Sequence, residues 1–419
     1  MTEQKKKKMG LTSKIFIGLL VGAILGSIIN WKFNTDFIQK YIVEGVLFIV
    51  GQGFIRAMQM LVVPLVFASL VTGSMSMGDT TKLGKIGIKS MAFYLTTTSL
   101  AIAIALGVSN IINPGTNLKL TLPTAAAKEV VEKTSMVDTI LNIIPTNPIS
   151  SLANGEMLQI IVFALVIGII LAKLGEKAKT TANFMVELNN IMMEMTMMVM
   201  KLAPIGVFAL ITRTFAGLGL SAMLPMFKYM FSVIAGLGAQ LFLVYMLLLF
   251  VLAKVNPFKF LKKFFPVMGF AFSTASSNAT IPLNINKLAD MGISKKVSSF
   301  TIPLGATINM DGTAIMQGVA VVFISQAYGI PLTLADYGTV ILAATLASVG
   351  TAGIPSVGLV TLTMVLSSVG LPTEGIALIM GIDRILDMSR TAINITGDAV
   401  CSTIIAKQEN MVDLKKYNS

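Results

Sequence analysis

Apolar runs of about 20 residues or more, the length a helix needs to cross the hydrocarbon layer, recur along the chain. They lie near 11–30, 40–73, 86–112, 156–174, 180–213, 222–253, 297–328 and 374–406, and the longer ones predict tilted or kinked helices. The first follows Lys5, Lys6, Lys7 and Lys8. It is long for the apolar core of a signal peptide and no Ala-x-Ala-like site follows it, so it reads as a retained span. Lysine and arginine collect in cytoplasmic loops. Here Lys82, Lys85 and Lys89, then Lys173, Lys177 and Lys179, then Lys254, Lys259, Lys262 and Lys263 fall in alternate loops, on the same side as the first lysines. The loop of roughly 114–150 instead balances Lys119, Lys128 and Lys133 against Glu129, Glu132 and Asp138. With Lys295, Lys296, Lys415 and Lys416 also basic, both termini are expected in the cytoplasm, provided that 257–290 and 334–370 do not cross.

Those two segments break the apolar pattern. Phe272-Ser273-Thr274-Ala275-Ser276-Ser277-Asn278-Ala279-Thr280-Ile281-Pro282 and Ser348-Val349-Gly350-Thr351-Ala352-Gly353-Ile354-Pro355-Ser356-Val357-Gly358 each place small hydroxylated residues and a proline where a continuous helix is poorly supported. A helix–turn–helix that enters and leaves on one side fits better, and its tip offers free backbone N–H groups to an anion. A flexible kink or a small-residue packing face is the plainer alternative. Each segment is followed by a polar span, Gly305-Ala306-Thr307-Ile308-Asn309-Met310-Asp311-Gly312-Thr313 after the first and Arg390-Thr391-Ala392-Ile393-Asn394-Ile395-Thr396-Gly397-Asp398 after the second. A hairpin and a polar span, repeated, predict an inverted repeat with a binding site at its interface.

Composition narrows the class. Hydrophobic residues make up 54% and charged residues 12%, against about 25% charged in soluble domains. The absence of histidine removes Ser-His and Cys-His catalysis and histidine zinc sites, and the single Cys401 removes an internal disulfide and cysteine-rich metal sites. The net charge of +12 sits in lysines between apolar runs, which is a membrane pattern and not a nucleic-acid face. The 35 glycines and 14 prolines predict interrupted helices.

The last span carries the chemistry. Asp383, Asp387, Arg390, Thr391, Asn394 and Asp398 fall within an arc of about 100° on a helix, with Arg384 close by. Each ionised side chain at mid-depth costs on the order of 2.5–3.5 kcal/mol, so such a face must look into protein and is expected to bind something. A buried ion-pair ladder that only fixes packing is the structural alternative. Arg390 offers a planar fork to a carboxylate, Asp387 a partner for an ammonium group, and Asn394 a hydrogen bond to a second carboxylate. An acidic amino acid satisfies all three. Thr307, Asn309, Asp311, Thr351 and Asp398, with backbone carbonyls at the helix breaks, form an oxygen-rich set suited to hard cations. Hydroxyls of the Tyr94-Leu95-Thr96-Thr97-Thr98 run are by composition expected to back-bond to their own helix.

Asn309-Met310-Asp311-Gly312-Thr313, the serine-rich tip at 276–280, Gly350-Thr351-Ala352-Gly353 and Asp387-Met388-Ser389-Arg390-Thr391 together resemble the glutamate and aspartate transporter family, the sodium:dicarboxylate symporters. The resemblance covers nearly the whole chain and is to an archaeal or bacterial homologue of the excitatory amino acid transporters. Inverted repeats are a known trait of that family, so layout and motifs are not independent signs of it. It implies an all-α polytopic membrane protein of eight transmembrane helices plus two re-entrant helical hairpins, a homotrimer in the plasma membrane, and an elevator motion of a transport domain against a scaffold. By analogy 1–85 and 114–220 form the scaffold, while 86–113 and 221–419 form the transport domain. The activity implied is symport of L-aspartate or L-glutamate with several sodium ions per cycle, with no enzymatic function and no nucleic-acid partner.

Carried across by motif, Arg390 would hold the side-chain carboxylate with Thr313 beside it, Asp387 the amino group, and Asn394, Thr391 and the Ser277 region the α-carboxylate. Gly358 would lie in the gating outer hairpin. One sodium site would use Asn309, Asn394, Asp398 and the Gly305 carbonyl. A second would use Thr307, Ser348, Val349, Thr351 and Met310, and a third Tyr94, Thr97, Thr98, Asn309 and Asp311. Three departures from the family pattern matter. Gln317 stands where proton-coupled members carry a glutamate, which predicts no proton carrier there. Ala275 stands where some relatives place an arginine, a charge that Arg384 restores from the last span, and Asn278 replaces the third serine of the tip. Within the fold, a proton- or sodium-coupled symporter of dicarboxylates or cystine is the alternative; a channel and a membrane aspartyl protease are alternatives from other classes.

Overall fold

The computed structural model describes residues 11–33, 35–77, 84–116, 118, 120, 141, 144–219, 223–348, 357–380 and 382–418. The first lysines, Lys82, the charged residues expected to balance the outer loop, and the tip of the second hairpin with Val349 and Thr351 lie outside these residues.

The described chain is nearly all helix. In order come α1 (Leu11–Lys32), α2 (Phe48–Met77, preceded by a π-helical stretch Ile38–Leu47), α3 (Gly84–Ile112), α4 (Pro148–Asn154), α5 (Met157–Leu174), α6 (Lys179–Met200) and α7 (Ala203–Leu218). Then follow α8 (Met223–Ala253), α9 (Pro257–Thr274), α10 (Ser277–Asp290), α11 (Lys295–Ile308), α12 (Asp311–Tyr328), α13 (Leu334–Ser348) and α14 (Val357–Ser367). The chain ends with α15 (Ile376–Met380), α16 (Asp383–Gln408) and α17 (Leu414–Asn418). Among the described residues four helical stretches are long and apolar enough to cross a membrane: Ile38–Ala57, Lys85–Ile112, Met223–Ala253 and Lys295–Tyr328. Of the other expected spans, α1 is one unbroken helix of 22 residues, while 180–213 and 374–406 are interrupted.

Several interruptions have a local cause. The stretch 180–213 is two helices, parted at Lys201–Leu202, because Pro204 in the first turn of α7 lacks an N–H and cannot continue the preceding helix. The segment 257–290 forms a helix–turn–helix. α9 stops at Ala275, which takes a left-handed conformation (φ 49°), and Ser276 caps α10 by accepting from the Ala279 N–H. Between α11 and α12 the helix opens at Asn309–Met310, where the backbone leaves the helical region. The last span is also broken, into α15 and α16. A helix–turn–helix followed by an interrupted helix thus forms over α9–α12; α13 and α14 pack on each other and are likewise followed by a broken pair, α15 and α16.

The helices pack in two groups. α1 lies along α7, and α2 packs on α5, α6 and α7. Gly18, Gly22 and Gly26, spaced four apart, let α1 approach the α7 backbone; an added Cβ would stand 2.6 Å from the Pro204 carbonyl oxygen at Gly18 and 2.9 Å from that of Phe208 at Gly22. The second group gathers α3, α8, α9, α11 and α12 around α16. The chain's end is fastened to this group. Val412 bridges Ile293, Lys263 Nζ donates to the Tyr417 carbonyl at 2.9 Å, and the buried Tyr417 hydroxyl donates to the Asn256 carbonyl at 3.1 Å. Just past α16, Lys89 bonds the Glu409 carboxylate and holds it below the usual carboxylate range.

Candidate functional site

The 3.6-residue period of α16 puts Asp383, Asp387, Arg390, Thr391, Asn394 and Asp398 on the side that faces α11 and α12, and all six are buried. Arg390, 1% exposed, is among the largest fully buried side chains of the protein. Its Nη1 donates to Asp383 Oδ1 at 2.6 Å and its Nη2 to Asp387 Oδ1 at 2.8 Å. Arg384 Nη1 reaches Asp387 Oδ2 at 3.4 Å. Two arginines and two aspartates thus balance within two turns of one helix, which is how the bilayer cost of each charge is offset. The sequence reading placed Asp383 on this face without a role; here it is a direct partner of Arg390.

The break between α11 and α12 is stitched to α16. Asn394 Oδ1 accepts from the Gly312 N–H at 2.7 Å, and its Nδ2 rests on the Met310 sulfur at 3.3 Å, a weak acceptor that a carboxylate would displace. Asn309 Nδ2 donates to Asp398 Oδ1 at 2.8 Å and to the Asn394 carbonyl at 3.1 Å, and among the described residues its own buried Oδ1 meets no donor. A Cβ at Gly305 would meet the Asp398 carboxylate and lie 2.8 Å from the Tyr94 hydroxyl, so Tyr94, Gly305, Asn309 and Asp398 converge. Tyr94 itself donates to the Thr301 carbonyl at 2.9 Å.

Asp311 is the second buried carboxylate of this region. It accepts from Thr98 Oγ1 at 2.6 Å, and its other oxygen accepts from Gln240 Nε2 and the Tyr245 hydroxyl, both at 2.8 Å. Gln240 and Tyr245 are five residues apart and would diverge on an α-helix. The π-helical turn Gln240–Tyr245 within α8, with its i→i+5 bonding, brings both to the same oxygen. No spacing in the sequence signals that turn, and neither residue was expected at the site.

Other expected residues are placed as follows. Thr313, Gly358 and Arg390 meet: a Cβ at Gly358 would lie 2.8 Å from Thr313 Cγ2 and 3.8 Å from Arg390 Nη2. Thr391, Thr97, Thr307 and Ser348 hydroxyls bond back to carbonyls of their own helices. Ser277 is buried at the first turn of α10, and that helix is tied to α16 by Asn284 Nδ2, which donates to the Ile395 carbonyl at 3.2 Å. Gln317 Nε2 donates to Thr361 Oγ1 at 2.8 Å and so links α12 to α14.

The closeness of α12 to α16 gives a test of the geometry. A Cβ at Gly312 would lie 2.7 Å from the Arg390 carbonyl oxygen and 2.9 Å from its Cα, backbone atoms that cannot turn aside. Gly312→Ala is expected to push the two helices apart at a cost of roughly 1–3 kcal/mol. A thermal melt of the purified variant should fall by several degrees, and an unchanged melt would show that the helices do not approach this closely.

Interrupted helices that hold an arginine and paired carboxylates inside an apolar chain define a multi-pass membrane transporter, not an enzyme. Comparison with known proteins carries the class further. Residues 11–408 match the sodium:dicarboxylate symporter family, and the chain belongs to that family. It is 36% identical to the proton/sodium-glutamate symport protein of Geobacillus stearothermophilus over 98% of this chain and 97% of that one. It is 35% identical to the proton/glutamate-aspartate symporter of Escherichia coli, over 98% and 96%, and 30% identical to the C4-dicarboxylate transport protein of Bacillus subtilis, over 97% and 95%.

Proposed function

We propose that this protein carries an acidic amino acid, L-aspartate or L-glutamate, across the plasma membrane together with sodium ions. The observation that carries the reading is Arg390, a guanidinium buried inside the protein and faced by Asp387, Thr313 and Gly358. A substrate carboxylate takes the arginine fork while its ammonium takes Asp387. Asn394, Thr391 and the Ser277 tip hold the α-carboxylate. A C4-dicarboxylate, the named substrate of one relative, brings no ammonium to Asp387 and is expected to compete more weakly.

Sodium coupling rests on the oxygen chemistry. Among the described residues Asn309 Oδ1 and Gln240 Oε1 are buried acceptors that meet no donor, next to the carboxylates of Asp398 and Asp311, an arrangement that suits small hard cations. Tyr94, Thr97, Thr98, Asn309 and Asp311 make one ion site, Gly305, Asn309, Asn394 and Asp398 another, and Thr307, Met310 and Ser348 with Val349 and Thr351 a third. Gln317 carries no proton. The two packing groups are a scaffold (1–85 and 114–220) and a transport domain (86–113 and 221–419) that moves as an elevator, with eight spans, two re-entrant hairpins and both termini in the cytoplasm. Phe184, Ile191 and Met198, exposed and seven residues apart on α6, offer the scaffold an apolar row for a homotrimer.

Proteoliposomes test the reading. Uptake of labelled L-aspartate is expected to saturate, to require sodium, and to fall to background when choline replaces sodium without a proton gradient. Equal uptake in choline would overturn the coupling, and stronger competition by C4-dicarboxylates than by L-glutamate would overturn the substrate.

A further inference from the structure

Residues 411–418 are bonded to both ends of the helix–turn–helix α9–α10. They leave α16 through Asn410, which takes a left-handed conformation (φ 56°), and the Met411 N–H donates back to the Ala406 carbonyl at 2.7 Å. They then cross the residues that follow α10. The Ser294 N–H donates to the Met411 carbonyl at 3.1 Å, and the Asp413 N–H to the Gly292 carbonyl at 2.8 Å. Gly292 is shaped for this crossing: its φ of 89° favours glycine, and a Cβ there would lie 2.5 Å from the Asp413 carbonyl oxygen and 3.1 Å from Lys416 Cβ. Asp413 Oδ1 caps α17 by accepting from the Lys415 N–H at 2.9 Å, and α17 reaches the start of α9. There Lys263 Nζ donates to the Lys416 and Tyr417 carbonyls, and Lys259 Nζ to the Asn418 carbonyl, all at 2.9 Å. Tyr417, 1% exposed, donates at 3.1 Å to the carbonyl of Asn256, whose side chain caps α9. The start of α9, the end of α10 and the end of α16 are thereby closed into one circuit of contacts.

We propose that residues 411–418 are a strap for the substrate site, with Tyr417 as its positioning residue: they hold the base of α9–α10 on α16, keep the tip at Ala275–Ser277 against the site, and so slow the release of bound substrate. The role at the site rests on the acidic amino acid reading above; the strap itself rests on the contacts just named. A helix–turn–helix lifts from its neighbour by flexing at the residues that end its two helices, and here both ends are held. α9 and α10 pack on α16, on α11 and on each other, and nearer the tip the Asn284 side chain is bonded to the Ile395 carbonyl. With the strap released those contacts remain, so the pair opens more often without loss of the fold.

Hydrogen exchange on the purified full-length protein tests the strap. Tyr417→Ala empties the seat beside Asn256 and is expected to speed amide exchange across α9 and α10 at least about tenfold, while α3 and α12 exchange as in the unaltered protein. Lys263→Met keeps the stem, loses the two carbonyl bonds, and should act in the same direction with a smaller effect. Tyr417→Phe keeps the buried ring and should restore most of the protection. In Tyr417→Ala, L-aspartate at fixed sodium is expected to dissociate about 3- to 10-fold faster. A tyrosine that only supports overall stability would lower the melting temperature and leave that rate alone. Unchanged exchange in α9 and α10, or exchange raised equally in α3 and α12, overturns the strap; faster exchange with an unaltered dissociation rate overturns its role at the site. If the unaltered protein binds no acidic amino acid, the substrate reading falls, and the exchange comparison still decides the strap.

Discussion

An Arg390→Ala variant is expected to bind no L-aspartate at concentrations that saturate the unaltered protein. The guanidinium supplies two charge-assisted bonds to a substrate carboxylate, each worth about 1.5–3 kcal/mol, so their loss weakens binding by roughly two to four orders of magnitude. The effect is compounded by what remains. Asp383 would stand buried without its arginine and Asp387 with the longer contact to Arg384, two like charges facing an anionic substrate. Because removing one partner of a buried ion pair also threatens the fold, Arg390→Lys is the companion measurement. Lysine keeps the charge but lacks the fork, and an intermediate loss of aspartate affinity is expected. Calorimetry with L-aspartate and a neutral amino acid separates the cases, because a neutral substrate does not need the fork. Retained aspartate affinity in either variant would remove Arg390 from the site.

The second large effect concerns the ions. Asp311→Asn should leave the protein folded and make aspartate binding far less responsive to sodium. The hydrogen bonds of Asp311 make this a clean deletion of charge: an asparagine can turn its oxygen to Gln240 and Tyr245 and its amide to the Thr98 oxygen, so each present partner keeps a bond. Only the attraction for a cation is lost. For a unit charge about 4 Å away at an effective dielectric constant of about 20 that attraction is about 4 kcal/mol, so the sodium concentration for half-maximal binding should rise about a hundredfold or more. Sodium titrations at fixed aspartate, followed by thermal shift, read the effect. A sodium dependence equal to that of the unaltered protein would show that Asp311 holds no ion.

Much of the site was legible before any fold was known, and the reason is the helix period. Residues 383, 387, 390, 391, 394 and 398 share a face of any α-helix, and charge in an apolar run has to be turned inward, so their burial followed from spacing alone. The turn at Ala275–Ser276 was legible for a similar reason, since small polar residues interrupt a span where lipid would not tolerate open backbone, whereas the break at Asn309–Met310 falls inside 297–328, expected as one span. The partnership of Asp383 with Arg390 was within reach, two turns apart on one face, yet spacing does not tell which of two aspartates an arginine chooses. Gln240 and Tyr245 were out of reach. They lie far along the chain from Asp311, which they meet, and a π-helical turn sets their facing.

The sequence by itself determined that this is a many-helix membrane protein, where the segment 257–290 turns, and which side chains had to be hidden from lipid, because hydropathy and helical period are local properties. Tertiary structure alone decided which donors hold Asp311, that Asn394 fastens Gly312, and that α6 packs on α2 while α7 packs on α1 and α2. Those are contacts between segments far apart in the chain, set by how rigid helices of given shape fit together, and no local pattern carries that information.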